Sequence, residues 1–550
     1  MRGIFTITDV CIFAVTVAIC AYVYLWIQLK TFSRRGIVAL PAYPVVGSLG
    51  PVIFRKISFS EQVGNLYKLL KGHRFGGLFE FLKPVLMLRD PELIKLITVK
   101  DFDHFVDRHK PITEECDDMF GKSVFGLEGA RWRHMRATLS PAFTGSKMRR
   151  MFEWVNQCGR TLASFLSRRC YEHEAKTGKM LVVEMKDLWG RYANDVIATA
   201  GFGVQVDSLR DPDNEMLANV KTLSDFGGVQ AFIFIGYLIS HKLMKLLHVP
   251  LMPFKVKAFV RDLVEQAITM REREDVARPD VIHLLMRRRA SDASASASAG
   301  VRPGPKGAAP PPPPPSYDRK PREEAPGLNN EDIAAQVMVF FLAGFETTST
   351  LLSFMSNRLA VLPGIQERLR REVDATLQRH GGRVTYEAVH EMKYLDMVIS
   401  ETLRMYPPVE VLDRKCVRRY VIPASATDPE VVLEPGDAVW VPIYGLHHDP
   451  AHWPDPDAFD PERFSDENKA NITPFTFLPF GSGPRNCIGL RFAIMEVKVA
   501  VMYLLAHFEL RVVERTPIDL HLSTNTFNIT VDGGFWLGIE PRRRPAPAPA

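Results

Sequence analysis

Residues 480–489 read FGSGPRNCIG: three glycines and a proline in ten positions, surrounding one cysteine, Cys487, just before an apolar helical pattern begins at Leu490. That density of Gly and Pro is incompatible with a helix interior or a central strand, so the stretch must be a tight loop. A buried structural cysteine needs no such setting. Gly481, Gly483 and Gly489 allow close backbone approach to a bulky planar group. Free backbone N–H groups in such a loop can aim at the sulfur and hold it as thiolate. Arg485, two residues earlier, adds positive charge beside it.

The other six cysteines are Cys11, Cys20, Cys116, Cys158, Cys170 and Cys416. An odd total without a C-x-x-C pair argues against a disulfide framework or a zinc ribbon and fits a reducing compartment. The net charge of +6 comes from 69 basic and 63 acidic residues spread along the chain, which gives no concentrated basic element for nucleic acid. From Val10 to Leu29 the sequence VCIFAVTVAICAYVYLWIQL carries no charge, and Lys30, Arg34 and Arg35 follow. Twenty helical residues reach about 30 Å, the thickness of a bilayer core. The apolar run exceeds the core of a cleaved signal peptide. The flanking positive charge predicts a single-pass anchor over residues 1–35, with everything after it in the cytosol.

GIVALPAYPVVGSLG, residues 36–50, reads as a stiff connector leaving the membrane surface. The chain is then mostly helical to Met286, with a strand region near FLKPVLMLRD. Residues 290–327 break the composition: SDASASASAG and the prolines Pro310 to Pro315 offer little apolar surface, which predicts a disordered insertion serving as spacer. Helical texture returns at Asn329, where Asn329 and Asp332 form a capping-box-like start to a helix of about thirty residues. FELRVV and FNITV read as strands near the end, before a frayed PAPAPA tail.

Three further stretches carry spaced polar groups. Glu401 and Arg404 in SETLRMYPP share one helix face at i, i+3. In AGFETT, Gly344 costs a helix about 1 kcal/mol relative to Ala. The hydroxyls of Thr347 and Thr348 can bond back to the carbonyls of Ala343 and Gly344, bending or opening the helix; contact with a neighbouring helix at a small residue is the alternative. Trp132 and Arg136 in RWRHMR lie one above the other at i, i+4.

With these stretches in view, FGSGPRNCIG resembles the cysteine-ligand signature F-G-x-G-x-R-x-C-x-G of the cytochrome P-450 family, the haem-thiolate monooxygenases, with all six fixed positions present. The likeness runs from about Pro41 to Gly538 and includes VKDFDHFVDR, LSPAFTGSKMRRMF and HHDPAHWPDPDAFDPERF, phrases most similar to the insect microsomal, xenobiotic-metabolising branch. It implies a mainly α fold with a smaller β-rich lobe, one haem domain over 36–550, and haem b with an axial thiolate, which favours O–O cleavage.

By the resemblance Cys487 is the iron ligand, Phe480 and Gly489 lie against the haem, and Trp132, Arg136, Arg485 and Arg414 serve its propionates. Gly344 would lie beside bound O2, with Glu346 and Thr347 as the catalytic proton relay. Glu401, Arg404 and the Arg463 of PERF would form a structural lock beneath the haem loop.

The implied partners are an NADPH-dependent reductase, cytochrome b5 and a lipophilic substrate, at the endoplasmic reticulum membrane. Arg133, Lys147, Arg149 and Arg150 are candidates to meet the reductase. The substrate pocket would draw on residues 105–125, GGVQAFIFIGYLI at 227–239, Phe340, Phe341, Ala343, Val409 to Leu412 and Asn525 to Phe527. Two other functions fit parts of the sequence: a haem-thiolate isomerase or dehydratase working without O2, against which Glu346 and Thr347 speak, and a polyproline membrane adaptor without haem.

Overall fold

The computed structural model describes the chain except for residues 1–6, 110–113, 115, 226, 275–277, 279, 300–326 and 543–550. Helix α1, Ile7–Leu29, is apolar from Cys11 to Leu29, and that stretch is not buried by the rest of the protein; Phe13, Tyr22 and Trp26 are exposed. The connector after it is more than a spacer. Leu40 donates its N–H to the Gly77 carbonyl at 2.7 Å, and Ile37, Leu40 and Leu49 are buried in the sheet lobe.

That lobe is a four-stranded sheet formed by β1 (Phe75–Glu80), β2 (Lys83–Leu88), β4 (Leu412–Lys415) and β7 (Ala438–Val441), in the order β1–β2–β7–β4. Its β2–β7 pair is parallel and the other two are antiparallel, with Arg414 of β4 opposite Val439. A three-stranded sheet joins β3 (Leu181–Glu184), β9 (Trp536–Pro541) and β8 (Phe508–Arg511), and β5 (Tyr420–Ile422) pairs with β6 (Val431–Leu433). FELRVV thus yields a strand, whereas FNITV contributes only an isolated bridge, Leu522 to Val531.

The larger, helical core surrounds one long helix. In chain order the helices that build it and the site are α2 (Gly129–Leu139), α3 (Gly145–Thr177), α4 (Met185–Val196), α5 (Gly228–Leu246), α6 (Val281–Ala299), α7 (Asn330–Val361), α8 (Lys393–Met405) and α9 (Leu490–His507). The expected capping box starts α7: Asn329 Oδ1 accepts the Asp332 N–H at 2.9 Å, and Asp332 Oδ2 accepts that of Asn329 at 3.0 Å. Pro363 ends it by barring helical backbone at Leu362, which sits at φ −114°, ψ 74°. Between the caps α7 is apolar enough to span a membrane, yet about two-thirds of that window is buried by other helices, which makes it the core's axis.

The insertion departs from expectation at its start. Helix α6 continues to Ala299, ten residues into the segment read as disordered. Low apolar content masks the helix propensity of its alanines, and no Gly or Pro intervenes before Gly300. The polyproline run and the PAPAPA tail lie outside the described residues.

Candidate active site

The 480–489 loop closes on itself before α9. The Cys487 N–H donates to the Phe480 carbonyl at 2.9 Å, and the Gly489 N–H is near enough to the sulfur to favour its thiolate. Gly483 is obligatory here: its φ is +71°, and a Cβ would fall 1.8 Å from the Thr98 carbonyl oxygen. Phe480 is half-buried against the helical core. The Cys487 side chain is accessible, yet protein atoms surround it, so its exposure is to a cleft. Burial pushes the thiol pKa up, against the pull of the Gly489 N–H, Arg136 and Arg108. A cation bound at the sulfur would reverse that balance and hold the thiolate.

Around this cleft positive charge is in surplus. Arg485 is buried, donating to the carbonyls of Val106 (2.9 Å), Val124 (3.4 Å) and Leu127 (2.8 Å), with its guanidinium 4.0 Å over the Trp132 ring. Arg414 is fully buried, donating to the carbonyls of Asp413 (2.8 Å) and Ser482 (3.4 Å), and its Nε has no partner among the described residues. Arg136 donates to Asn486 Oδ1 at 3.0 Å. Arg108, which sequence reasoning passed over, pairs with Asp413 at 3.1 Å and lies over Phe125. Burial, then repulsion from Arg108, lowers both Arg414 and Arg485 to about 9. Arginines held this way call for an anion. A planar group with two carboxylates, entering over an accessible sulfur, fits the charge surplus and the orphaned Arg414 Nε, so the residues present fit haem.

Helix α7 offers the facing wall. Ala343 is exposed between buried Phe341 and Phe345, and Gly344 and Thr347 are partly open, so this face of a core helix is accessible. The helix runs unbroken through AGFETT. Thr347 does bond back to the Ala343 carbonyl, at 2.6 Å, but Thr348 donates to Glu496 Oε2 of α9 at 3.3 Å. The glycine serves packing, since a Cβ on Gly344 would meet the Ile197 side chain at 3.2 Å. Glu346 is gripped by Lys186 of α4: its Nζ lies 2.9 Å from Glu346 Oε1, 3.0 Å from Ser349 Oγ and 2.6 Å from Thr350 Oγ1. Nothing local in the sequence links Lys186 to Glu346, 160 residues on.

Glu401, Arg404 and Arg463 do meet. Arg404 bonds both Glu401 oxygens, at 2.7 and 2.8 Å, both residues are fully buried, and Arg463 Nε is 3.4 Å from Glu401 Oε1. His447 extends the cluster. Arg404 donates to its carbonyl at 2.9 Å, while its Nε2 accepts the Leu478 N–H at 2.9 Å and its Nδ1 donates to the Arg404 carbonyl at 3.1 Å. Burial lowers His447 to about 3, so the ring is neutral, as the accepting Nε2 requires. The cluster thereby touches the chain two residues before Phe480. The phrase HHDPAHWPDP contains His447, but no spacing distinguishes it.

The expected pocket is only partly assembled. Phe341 is buried in the core against Phe202, ring centroids 4.5 Å apart and planes tilted by 34°. By contrast Phe234 of α5 meets Phe527 at 5.7 Å, and Gly227 bridges Thr526, which brings two pocket candidates together. Of the basic residues considered for reductase contact, Arg133 is paired with Asp103 and Arg149 with Glu387.

The cytochrome P450 family model matches residues 43–300 and 316–533, passing over 301–315 within the insertion. Cytochrome P450 9e2 of Blattella germanica is 50% identical over 519 residues, covering 93% of this chain and 94% of the relative. Probable cytochrome P450 9f2 of Drosophila melanogaster is 37% identical over 543 residues (96% and 99%), and cytochrome P450 6k1 of Blattella germanica is 34% identical over 528 residues (96% of each). A cysteine loop, an arginine-rich cleft and a full-length likeness to insect relatives agree, and the chain belongs to the cytochrome P450 family of haem monooxygenases.

Proposed function

We propose that this chain is a membrane-anchored haem-thiolate monooxygenase that inserts one atom of O2 into lipophilic substrates, xenobiotic or endogenous, with electrons from NADPH delivered by a reductase and supplemented by cytochrome b5. The observation that carries the reading is the Cys487 sulfur, open to a cleft beneath surplus arginines. Haem bound there supplies oxygen activation and atom transfer. The chain's own residues hold and tune it. Cys487 ligates the metal, with the Gly489 N–H stabilising the thiolate, and Arg136, Arg414 and Arg485 receive the propionates while Trp132 braces Arg485.

Thr347 and Glu346 act in proton delivery, Thr347 oriented by the Ala343 carbonyl and Glu346 by Lys186. Glu346→Gln keeps size but cannot relay a proton. It should lower product formation by about a hundredfold while leaving haem ligation intact; an unchanged rate would remove Glu346 from the relay.

Membrane attachment draws support from the solvent-facing apolar surface of α1 and from exposed apolar residues on α5, Val229, Phe232, Leu243 and Leu246. Such a placement, at the endoplasmic reticulum with the haem domain in the cytosol, would admit substrates from the bilayer.

The reaction is tested by supplying labelled O2, NADPH and a cytochrome reductase with a panel of lipophilic compounds. One labelled oxygen atom should appear per product, and none without reductase. Reductase-independent turnover of an oxygenated lipid without label would instead favour an isomerase.

A further inference from the structure

Helix α9 begins directly after Gly489 of the cysteine loop, and its Glu496 lies in the core with 1% exposure. Glu496 Oε2 accepts the Thr348 hydroxyl of α7 at 3.3 Å, and Oε1 is buried without a partner among the described residues. From α4, the Tyr192 hydroxyl donates to the Glu496 backbone carbonyl at 3.2 Å. One side-chain bond therefore ties the helix launched from the Cys487 loop to the residue adjoining Thr347.

We propose that Glu496 is a positioning residue, a strut between α9 and α7 that fixes the Cys487 loop relative to Thr347 and so sets the gap that holds the cofactor. The proposal rests on the haem reading above. An apolar side chain would fill this site at lower cost than an acid with one hydroxyl partner, so what the acid contributes is the acceptor for Thr348. Burial pushes the carboxyl pKa up, and the geometry already fixes its part in the contact, with Oε2 accepting from Thr348. Engaging Thr348 also keeps that hydroxyl off its own helix, unlike that of Thr347.

The test compares Glu496→Gln, Glu496→Met, Thr348→Val and the Met/Val double variant as purified holoproteins. It reads the rate of haem transfer to excess apomyoglobin and, with reductase, the peroxide released per NADPH consumed. Glu496→Gln keeps an acceptor and should stay within about twofold of the parent, while Glu496→Met and Thr348→Val should each speed haem transfer about fivefold and raise peroxide release. The double variant should be no worse than either single one, because both remove the same bond. Multiplying effects, or a Gln variant as impaired as Met, would overturn the strut. If Glu496→Met fails to fold, Thr348→Ser against Thr348→Val makes the same comparison, with Ser expected to match the parent. A parent protein that carries no haem would overturn the haem reading itself, a result distinct from failure of the strut alone.

Discussion

Glu401→Ala is expected to abolish accumulation of folded, haem-loaded protein. The substitution leaves Arg404 fully buried without its bidentate partner, strips the Asp460 N–H of its acceptor at 2.9 Å, and releases Arg463. Breaking a buried pair costs about 3–5 kcal/mol, a large share of the roughly 5–15 kcal/mol that holds a typical domain together. The damage should reach the haem loop, because Arg404 is bonded to His447, which holds the Leu478 N–H. Arg463→Ala should be milder, since Arg463 is partly exposed, meets Glu401 only as an ion pair, and gives its hydrogen bonds to the carbonyls of Pro454 and Asp455. Denaturant midpoints and haem content of the two variants check the order; a loss below about 1 kcal/mol for Glu401→Ala would contradict the lock.

Haem dimethyl ester, the same ring without its two carboxylates, is expected to bind at least about a hundredfold more weakly than haem, given about 1.5–3 kcal/mol for each charge-assisted hydrogen bond. Arg414 and Arg485 carry the argument. Both are lowered to about 9, below the ordinary arginine value, by burial and by Arg108. A base with a depressed folded-state pKa binds protons less tightly than in the unfolded chain. The folded state is therefore penalised below about pH 9, and stability rises as pH climbs above it. A bound dianion relieves that penalty at neutral pH. Equal affinity for haem and its ester would contradict a propionate role for these arginines.

What the sequence disclosed, and what it did not, divides by distance along the chain. The loop around Cys487, the Glu401–Arg404 pair and the Asn329 cap were legible because each is set within a few residues, where spacing alone fixes the geometry; the close contact of Gly483 with the Thr98 carbonyl was not. Lys186, Arg108, His447 and Glu496 were not, because each meets its partner across tens to hundreds of residues and none stands in an unusual local pattern. Thr348 shows the same limit within one motif: its back-bond to Gly344 was locally possible, but a tertiary acceptor took the hydroxyl. The α6 extension failed in the opposite sense, since composition reported the lack of a core and concealed the helix propensity of Ala.

The central claim is that Cys487 supplies a thiolate to haem iron. The most direct measurement is the difference spectrum of the reduced protein with carbon monoxide, recorded for the parent and for Cys487→Ala. The parent should give the strongly red-shifted band of a thiolate-ligated haem, and Cys487→Ala should lose it. The same band persisting in Cys487→Ala would contradict the account.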